Sequence, residues 1–140
     1  MGLASYLGYY NLATGHFTRI TASPGADNTR INDGRCDRMG NFVFSTMHVE
    51  DVVQPIGRFH RLNAEMLETE TLDIPEVAIP NSICFSLDGS TMYYADSMQG
   101  CIFCCYYLSL QNQRVFTKVD GLGAPDGACM DAEGFLWNAE

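Results

Sequence analysis

No stretch of the chain approaches the roughly 18 consecutive apolar residues needed to span a bilayer. The first residues, MGLASYLGYYNLATG, carry no basic segment ahead of an apolar core, so no secretory signal is expected. Basic residues are scarce: 8 Lys and Arg stand against 17 Asp and Glu, for a net charge of −9. Clustered positive charge is what nucleic acids and anionic membranes recognise, and its lack argues against both as main partners. The DxDxDG pattern of a calcium loop is also missing. Cys101, Cys104 and Cys105 form a CxxCC cluster, but no second pair stands at zinc-ligand spacing and no histidine follows closely. With Cys36, Cys84 and Cys129 they are expected to be buried thiols on β-strands of a cytoplasmic protein, because free cysteine packs as a small hydrophobe. The 46% apolar content is that of a soluble globular chain.

Short strands separated by turn residues account for the sequence. Residues 3–10 and 16–21 read as a hairpin, its loop running from Asn11 to Gly15, where glycine supplies a positive φ. A loop is expected over residues 23–28. Further strands are expected at 31–36, 41–47, 57–62 and 69–73, then at 82–86, 91–96, 101–107 and 114–119, and finally at 127–131 and 135–139. Residues 63–70 are the one helix candidate, but they lack an amphipathic stripe and read as a turn. Residues 50–76 hold seven acids and two bases, the composition of a solvated outer edge.

An internal repeat organises these strands. Asn32-Asp33-Gly34, Asn81-Ser82 and Asp126-Gly127 are each followed six or seven residues later by a glycine turn, at Gly40, Gly89 and Gly134. Those glycines are 49 and 45 residues apart. About 45 residues with four short strands per repeat is the signature of β-propeller blades. If the strand after each polar motif is innermost, Asp33, Asn81 and Asp126 begin three adjacent strands, and their side chains, or those beside them, converge at one mouth of the central channel. Convergent Asn and Asp oxygens make a hard-cation site; each motif taken singly is also an ordinary turn sequence. His16, His48 and His60 are expected on the surface or on strand faces rather than as ligands. Tyr93, Tyr94, Tyr106 and Tyr107 are expected to pack between blades.

The same motifs carry a family resemblance. Arg30-Ile31-Asn32-Asp33-Gly34-Arg35-Cys36-Asp37 with Ser45-Thr46-Met47 resembles RxNDGxxD…GTM. Residues 79–89 with Tyr93-Tyr94-Ala95-Asp96-Ser97 resemble PNGxxFSxDG…YxADS. Ala124-Pro125-Asp126-Gly127 with residues 131–137 resembles PDGxxxDxEGxLWxA. Together they are similar to the SMP-30/gluconolactonase/luciferin-regenerating-enzyme family. That resemblance implies an all-β fold, a six-bladed β-propeller with one divalent metal at the channel mouth, and hydrolysis of sugar-acid lactones such as gluconolactone or arabinonolactone. It places metal ligands on Asn81 and Asp126, with Ca or Zn, or else Mn or Mg, as the ion. It places substrate contacts on Arg30 and Asn32, and a further carboxylate on Glu50. Asp126 would also act as the general base. A non-catalytic calcium-binding or scaffold propeller is the alternative.

Several positions depart from the resembled pattern. Its first ligand, a Glu in an EGP-type motif, has no counterpart in these residues. Ser45 stands where glycine is usual, Val43 where an aromatic is common, and Ser82 where PNG has glycine. A serine at a position wanting positive φ is expected to be mildly strained. At about 45 residues per blade, 140 residues make roughly three blades of a six-bladed ring. Residues 1–29 would supply the outer half of one blade, 30–76 and 77–122 two whole blades, and 123–140 the inner half of another. The chain is therefore expected to be part of a longer lactonase, an inactive remnant, or a homodimer in which two copies complete the ring.

Overall fold

Turn chemistry sets where each strand begins and ends. The computed structural model describes residues 1–25 and 27–140; the loop expected at 23–28 includes Ala26, which lies outside the described residues. Strands β1 (Tyr6–Tyr10) and β2 (Phe17–Ala22) pair antiparallel. In their hairpin, Asn11 Oδ1 accepts from the N–H groups of Ala13 and Thr14, and Gly15 has φ +68°. Strands β3 (Thr29–Cys36), β4 (Phe42–His48), β5 (Arg58–Leu62) and β6 (Thr69–Thr71) form a four-stranded antiparallel sheet in chain order. Strands β7 (Pro80–Phe85), β8 (Thr91–Asp96), β9 (Cys101–Tyr106) and β10 (Arg114–Lys118) form a second. Strands β11 (Ala128–Met130) and β12 (Leu136–Asn138) pair as a final two-stranded sheet. Strands thus stand at each expected place, and residues 63–68 form a turn in which Asn63 Oδ1 accepts from Glu65 and Met66 N–H, with Thr69 and Glu70 already in β6.

The repeat seen in the sequence has a structural cause. After each inner strand, one backbone bond closes the turn: Asp37 N–H to Asn41 O at 2.8 Å, Ser86 N–H to Thr91 O at 3.0 Å, and Asp131 N–H to Phe135 O at 3.0 Å. Gly40, Gly89 and Gly134 take φ of +89°, +71° and +88° in these turns, which glycine adopts without steric penalty.

The sheets stack face to face in chain order. Val43, Phe59, Ile83, Phe85, Met92 and Tyr94 form the core between the two four-stranded sheets. Leu7, Phe44 and Leu62 form a smaller core between β1–β2 and the first of them. The first strands of successive sheets, β3, β7 and β11, lie side by side. Arg35 bridges all three, its Nε donating to Ile83 O at 3.1 Å and its Nη2 to Ala128 O. Strand β7 is buried along its whole length because it is flanked on both sides, whereas β10, the far strand of its sheet, is exposed throughout. Face-to-face sheets with adjacent first strands are the arrangement of consecutive propeller blades. No helix among the described residues is long and apolar enough to cross a membrane.

Two expectations are corrected by burial. Cys84, Cys101, Cys104 and Cys105 are buried and free, but Cys36 and Cys129 are exposed. Cys36 lies at the exposed end of β3, and Cys129 lies on the short last sheet. Tyr94 and Tyr107 pack between sheets, while Tyr106 ends β9 and is exposed. His48 and His60 sit on strand faces as expected, yet both are buried.

His60 gives a pH-dependent stability. Its ring lies between Thr46 Oγ1 and Thr71 Oγ1, each at 3.2 Å, and stacks on Phe44. Burial, aided by the nearby Arg58 charge, lowers its pKa from 6.5 to about 4. The unfolded chain therefore binds the proton more readily. The stabilising contribution is complete above pH 6.5 and is lost as pH falls through 4, for a total of roughly 3 kcal/mol. Urea unfolding at pH 7 and pH 4 should show that loss in the wild type and lack it in His60→Gln.

Candidate functional site

Two bulges build the site. Pairing of β3 with β4 shifts register between Ile31 and Gly34, and pairing of β7 with β8 shifts between Asn81 and Cys84. A bulge frees backbone groups and re-aims side chains. At the bulge in β3, Ser45 Oγ of β4 accepts from Asp33 N–H at 3.1 Å, and it lies 3.3 Å from the carbonyl oxygens of Asp33 and Pro80. The small hydroxyl at position 45 thus ties the bulge of one sheet to the next. Of the two side chains that could converge here, that of Asp33 and that beside it, the Asp33 carboxylate turns to the backbone and Asn32 reaches across. Asp33 Oδ1 accepts from Gly34 N–H at 2.7 Å and its Oδ2 from Ile83 N–H at 2.8 Å, so its carboxylate supplies the pairing that the bulge in β7 removes.

Asn32, one residue earlier, reaches across instead. Its Nδ2 donates to Pro80 O at 3.0 Å and to Asn81 Oδ1 at 3.1 Å, while its Oδ1 accepts from Arg30 Nη1 at 2.9 Å. Arg30 is exposed and also donates to Ile31 O. The buried Asn81 presents its Nδ2 to Ser97 Oγ at 2.9 Å, and Ser97 Oγ donates to Pro125 O at 2.6 Å. Donor logic fixes both amides. A carbonyl only accepts, so the single Ser97 proton goes to Pro125 and Asn81 must face Ser97 with its NH₂. By the same logic Asn32 faces Pro80 O with its NH₂, leaving Oδ1 to the guanidinium. The resulting chain, Arg30–Asn32–Asn81–Ser97–Pro125, crosses β3, β7 and the segment before β11. Among the described residues, Asn81 Oδ1 accepts only from Asn32, which leaves one lone pair open.

Asp126 adjoins the end of that chain. Its N–H donates to Ala139 O at 2.8 Å and its carbonyl accepts from Ser82 Oγ at 2.7 Å. Its side chain is exposed and accepts no hydrogen bond among the described residues. Asn138 Nδ2 braces the same place, donating to Ser82 Oγ at 2.9 Å and to Gly127 O at 3.1 Å. Glu50 stands apart from the chain. It is exposed beyond the end of β4, with Oε2 3.7 Å from the Nε2 of the buried His48, whose Nδ1 accepts from Gln54 N–H. Ser97, Ser82 and Asn138 join the site through long-range packing that the sequence does not mark. Ser97 lies inside the YxADS-like motif, and its hydroxyl was the available signal.

Among the described residues, no three His, Cys, Asp or Glu side chains come together as a metal cluster. The cysteines do not supply one. Cys101, Cys104 and Cys105 lie on β9, away from the inner strands, and burial beside Cys104 pushes the Cys105 thiol up to about 11. The donors that do suit an ion are the open lone pair of Asn81 Oδ1 and the unpartnered carboxylate of Asp126. Amide and carboxylate oxygens are the donors of hard divalent cations, so these residues fit such an ion as part of its ligand set.

A family model described as SMP-30/gluconolactonase/LRE-like region matches residues 1–140. The chain is 46% identical over 146 residues to the L-arabinolactonase of Azospirillum brasilense, a match covering all of this chain and 48% of that protein. It is 34% identical over 120 residues to the regucalcin of Danio rerio, covering 80% of this chain and 40% of that one. Among solved structures, a calcium-binding protein, regucalcin, from Agrobacterium tumefaciens matches with a TM-score of 0.86 and 28% identity, over 99% of this chain and 48% of that one. The chain spans about half the length of the curated relatives it matches. The motifs, the stacked sheets and these matches agree: the chain belongs to the SMP-30/gluconolactonase/LRE-like family and forms part of a β-propeller.

Proposed function

We propose that this chain supplies part of the active site of a metal-dependent lactonase that hydrolyses sugar-acid lactones in the cytoplasm. The observations that support this reading are the hydrogen-bonded chain from Arg30 to Ser97, which orients the Asn81 amide, and an Asp126 anchored by its main chain whose carboxylate accepts no hydrogen bond among the described residues. Arabinolactone is the first substrate to try, given the 46% identity to an L-arabinolactonase. Six free cysteines suit a reducing compartment.

Asn81 and Asp126 would hold the ion, with calcium or zinc first and manganese or magnesium next. When bound, such an ion polarises the lactone carbonyl and lowers the pKa of water. Asp126 takes a proton from the attacking water as its oxygen bonds the carbonyl carbon, and the ring C–O bond breaks with that proton passing to the departing ring oxygen. Arg30 keeps Nη2 and Nε for the substrate, where charge-assisted donation favours developing negative charge. Asn32 has committed both amide protons within the protein, so toward a sugar hydroxyl it acts only as an acceptor, through the second lone pair of Oδ1. Glu50 would accept from a hydroxyl at the rim.

The test is acid release from arabinolactone and gluconolactone, with the protein stripped by chelator and then reloaded with Ca²⁺, Zn²⁺ or Mn²⁺. Activity that returns with metal and is lost in both Asn81→Ala and Asp126→Ala supports the reading. Equal rates in the stripped protein would overturn it. Metal uptake with no turnover on any lactone would favour a calcium-binding propeller instead, a reading supported by the calcium-binding regucalcin neighbour.

A further inference from the structure

Ser82 holds a backbone conformation that its residue type disfavours. Its φ is +57° within the bulge of β7, a region that L side chains rarely adopt and that glycine occupies freely. A residue persists there only where its surroundings over-determine it, and such outliers gather at functional sites. Serine at this place adds one thing that glycine lacks, a hydroxyl, and in this chain the hydroxyl is fully engaged. It is buried, donates to Asp126 O at 2.7 Å and accepts from Asn138 Nδ2 at 2.9 Å.

The consequence falls on one residue. Ser97 holds the carbonyl just before Asp126, Ala139 O holds the Asp126 N–H, and Ser82 holds the Asp126 carbonyl. The main chain is fixed at three successive points while the carboxylate stands open. Without Ser82 Oγ, the Asp126 carbonyl keeps only a 3.4 Å contact from Asn138 Nδ2. We propose that Ser82 is a positioning residue, whose hydroxyl fixes the main chain of Asp126 and thereby the place of its carboxylate relative to the Asn81 amide. What the carboxylate then does rests on the lactonase reading; the hold on the main chain does not.

Two variants separate this role from a general tie between sheets. Ser82→Gly removes the hydroxyl and relieves the positive φ. Ser82→Ala removes the hydroxyl and keeps the φ. Hydrogen exchange of the Asp126 and Ala139 amides, which close the pairing beside β11, is measured on the metal-free chain. Both variants should exchange at these two amides about tenfold faster than the wild type, the effect expected for one lost hydrogen bond. The Tm should stay within about 2 °C in Ser82→Gly, where relief of strain offsets the lost bond, and fall in Ser82→Ala. Mn²⁺ affinity, titrated by calorimetry, should drop about tenfold in both, the usual effect of losing a group that orients a ligand. Unchanged exchange at Asp126 and Ala139 in Ser82→Gly overturns the proposal. So does faster exchange spread evenly over the chain together with a lower Tm in both variants, which would mark a structural tie only. A wild-type chain that takes up no Mn²⁺ would instead count against the metal assignment, and the exchange comparison would still decide the role of Ser82.

Discussion

Asp126→Ala is expected to lower lactone turnover by about a hundredfold to ten-thousandfold, the range associated with removal of a general base, while shifting Tm by no more than about 2 °C. The two halves of that expectation have one origin. Every bond that ties Asp126 into the structure runs through its main chain, to Ala139 O and from Ser82 Oγ. Its carboxylate is exposed and has no hydrogen-bond partner to lose among the described residues. Asn81→Ala should behave differently, because the Asn81 amide links Asn32 to Ser97 and its removal leaves the Asn32 and Ser97 contacts short of a partner. Steady-state kinetics paired with thermal melts distinguishes the two. A large loss of Tm in Asp126→Ala would mean that the carboxylate has a structural role that the geometry does not show.

Phe59→Ala is expected to destabilise the chain by about 3–5 kcal/mol, roughly 10–20 °C in Tm. Total stabilities of about 5–15 kcal/mol leave little margin for such a loss. Phe59 is fully buried on β5, meets Tyr94 edge to face at 5.0 Å, and joins the core between the two four-stranded sheets. Its strand backs β4 at Ser45, the residue whose hydroxyl reaches both Asp33 and Pro80, so loosening this core also loosens the site. Phe116 is the control. It sits half exposed on β10 with an edge-to-face contact to Tyr93 at 5.1 Å, and Phe116→Ala should cost no more than about 1 kcal/mol. Urea unfolding of both variants checks the contrast; equal losses would contradict the placement of the core.

The fold was legible because turns are local. Gly40, Gly89 and Gly134 mark the three equivalent turns through a conformational need that few other residues meet, and their spacing announces the blades. Ser82 was legible for the same reason, as a serine at a glycine place, and its φ of +57° bears that out. The site was only partly legible because bulges are invisible in a one-letter string. A shift of register decides that Asn32, rather than Asp33, reaches Asn81, and that Asp33 closes a bond to Ile83 N–H. Hydroxyl roles were equally hidden. Ser97 and Ser82 act through oxygens that come together only when β7 and β11 pack side by side. Burial depends on the same long-range packing, which is why His60 became a core residue and Cys36 and Cys129 did not.

The central claim is that Asn81 and Asp126 serve one cation together. Anomalous diffraction from crystals soaked in Mn²⁺ tests it most directly. One strong peak is expected within about 2.6 Å of both Asn81 Oδ1 and an Asp126 carboxylate oxygen, and no peak in Asp126→Ala. A Mn²⁺ peak elsewhere with none between these two residues, or an undiminished peak in Asp126→Ala, would contradict it.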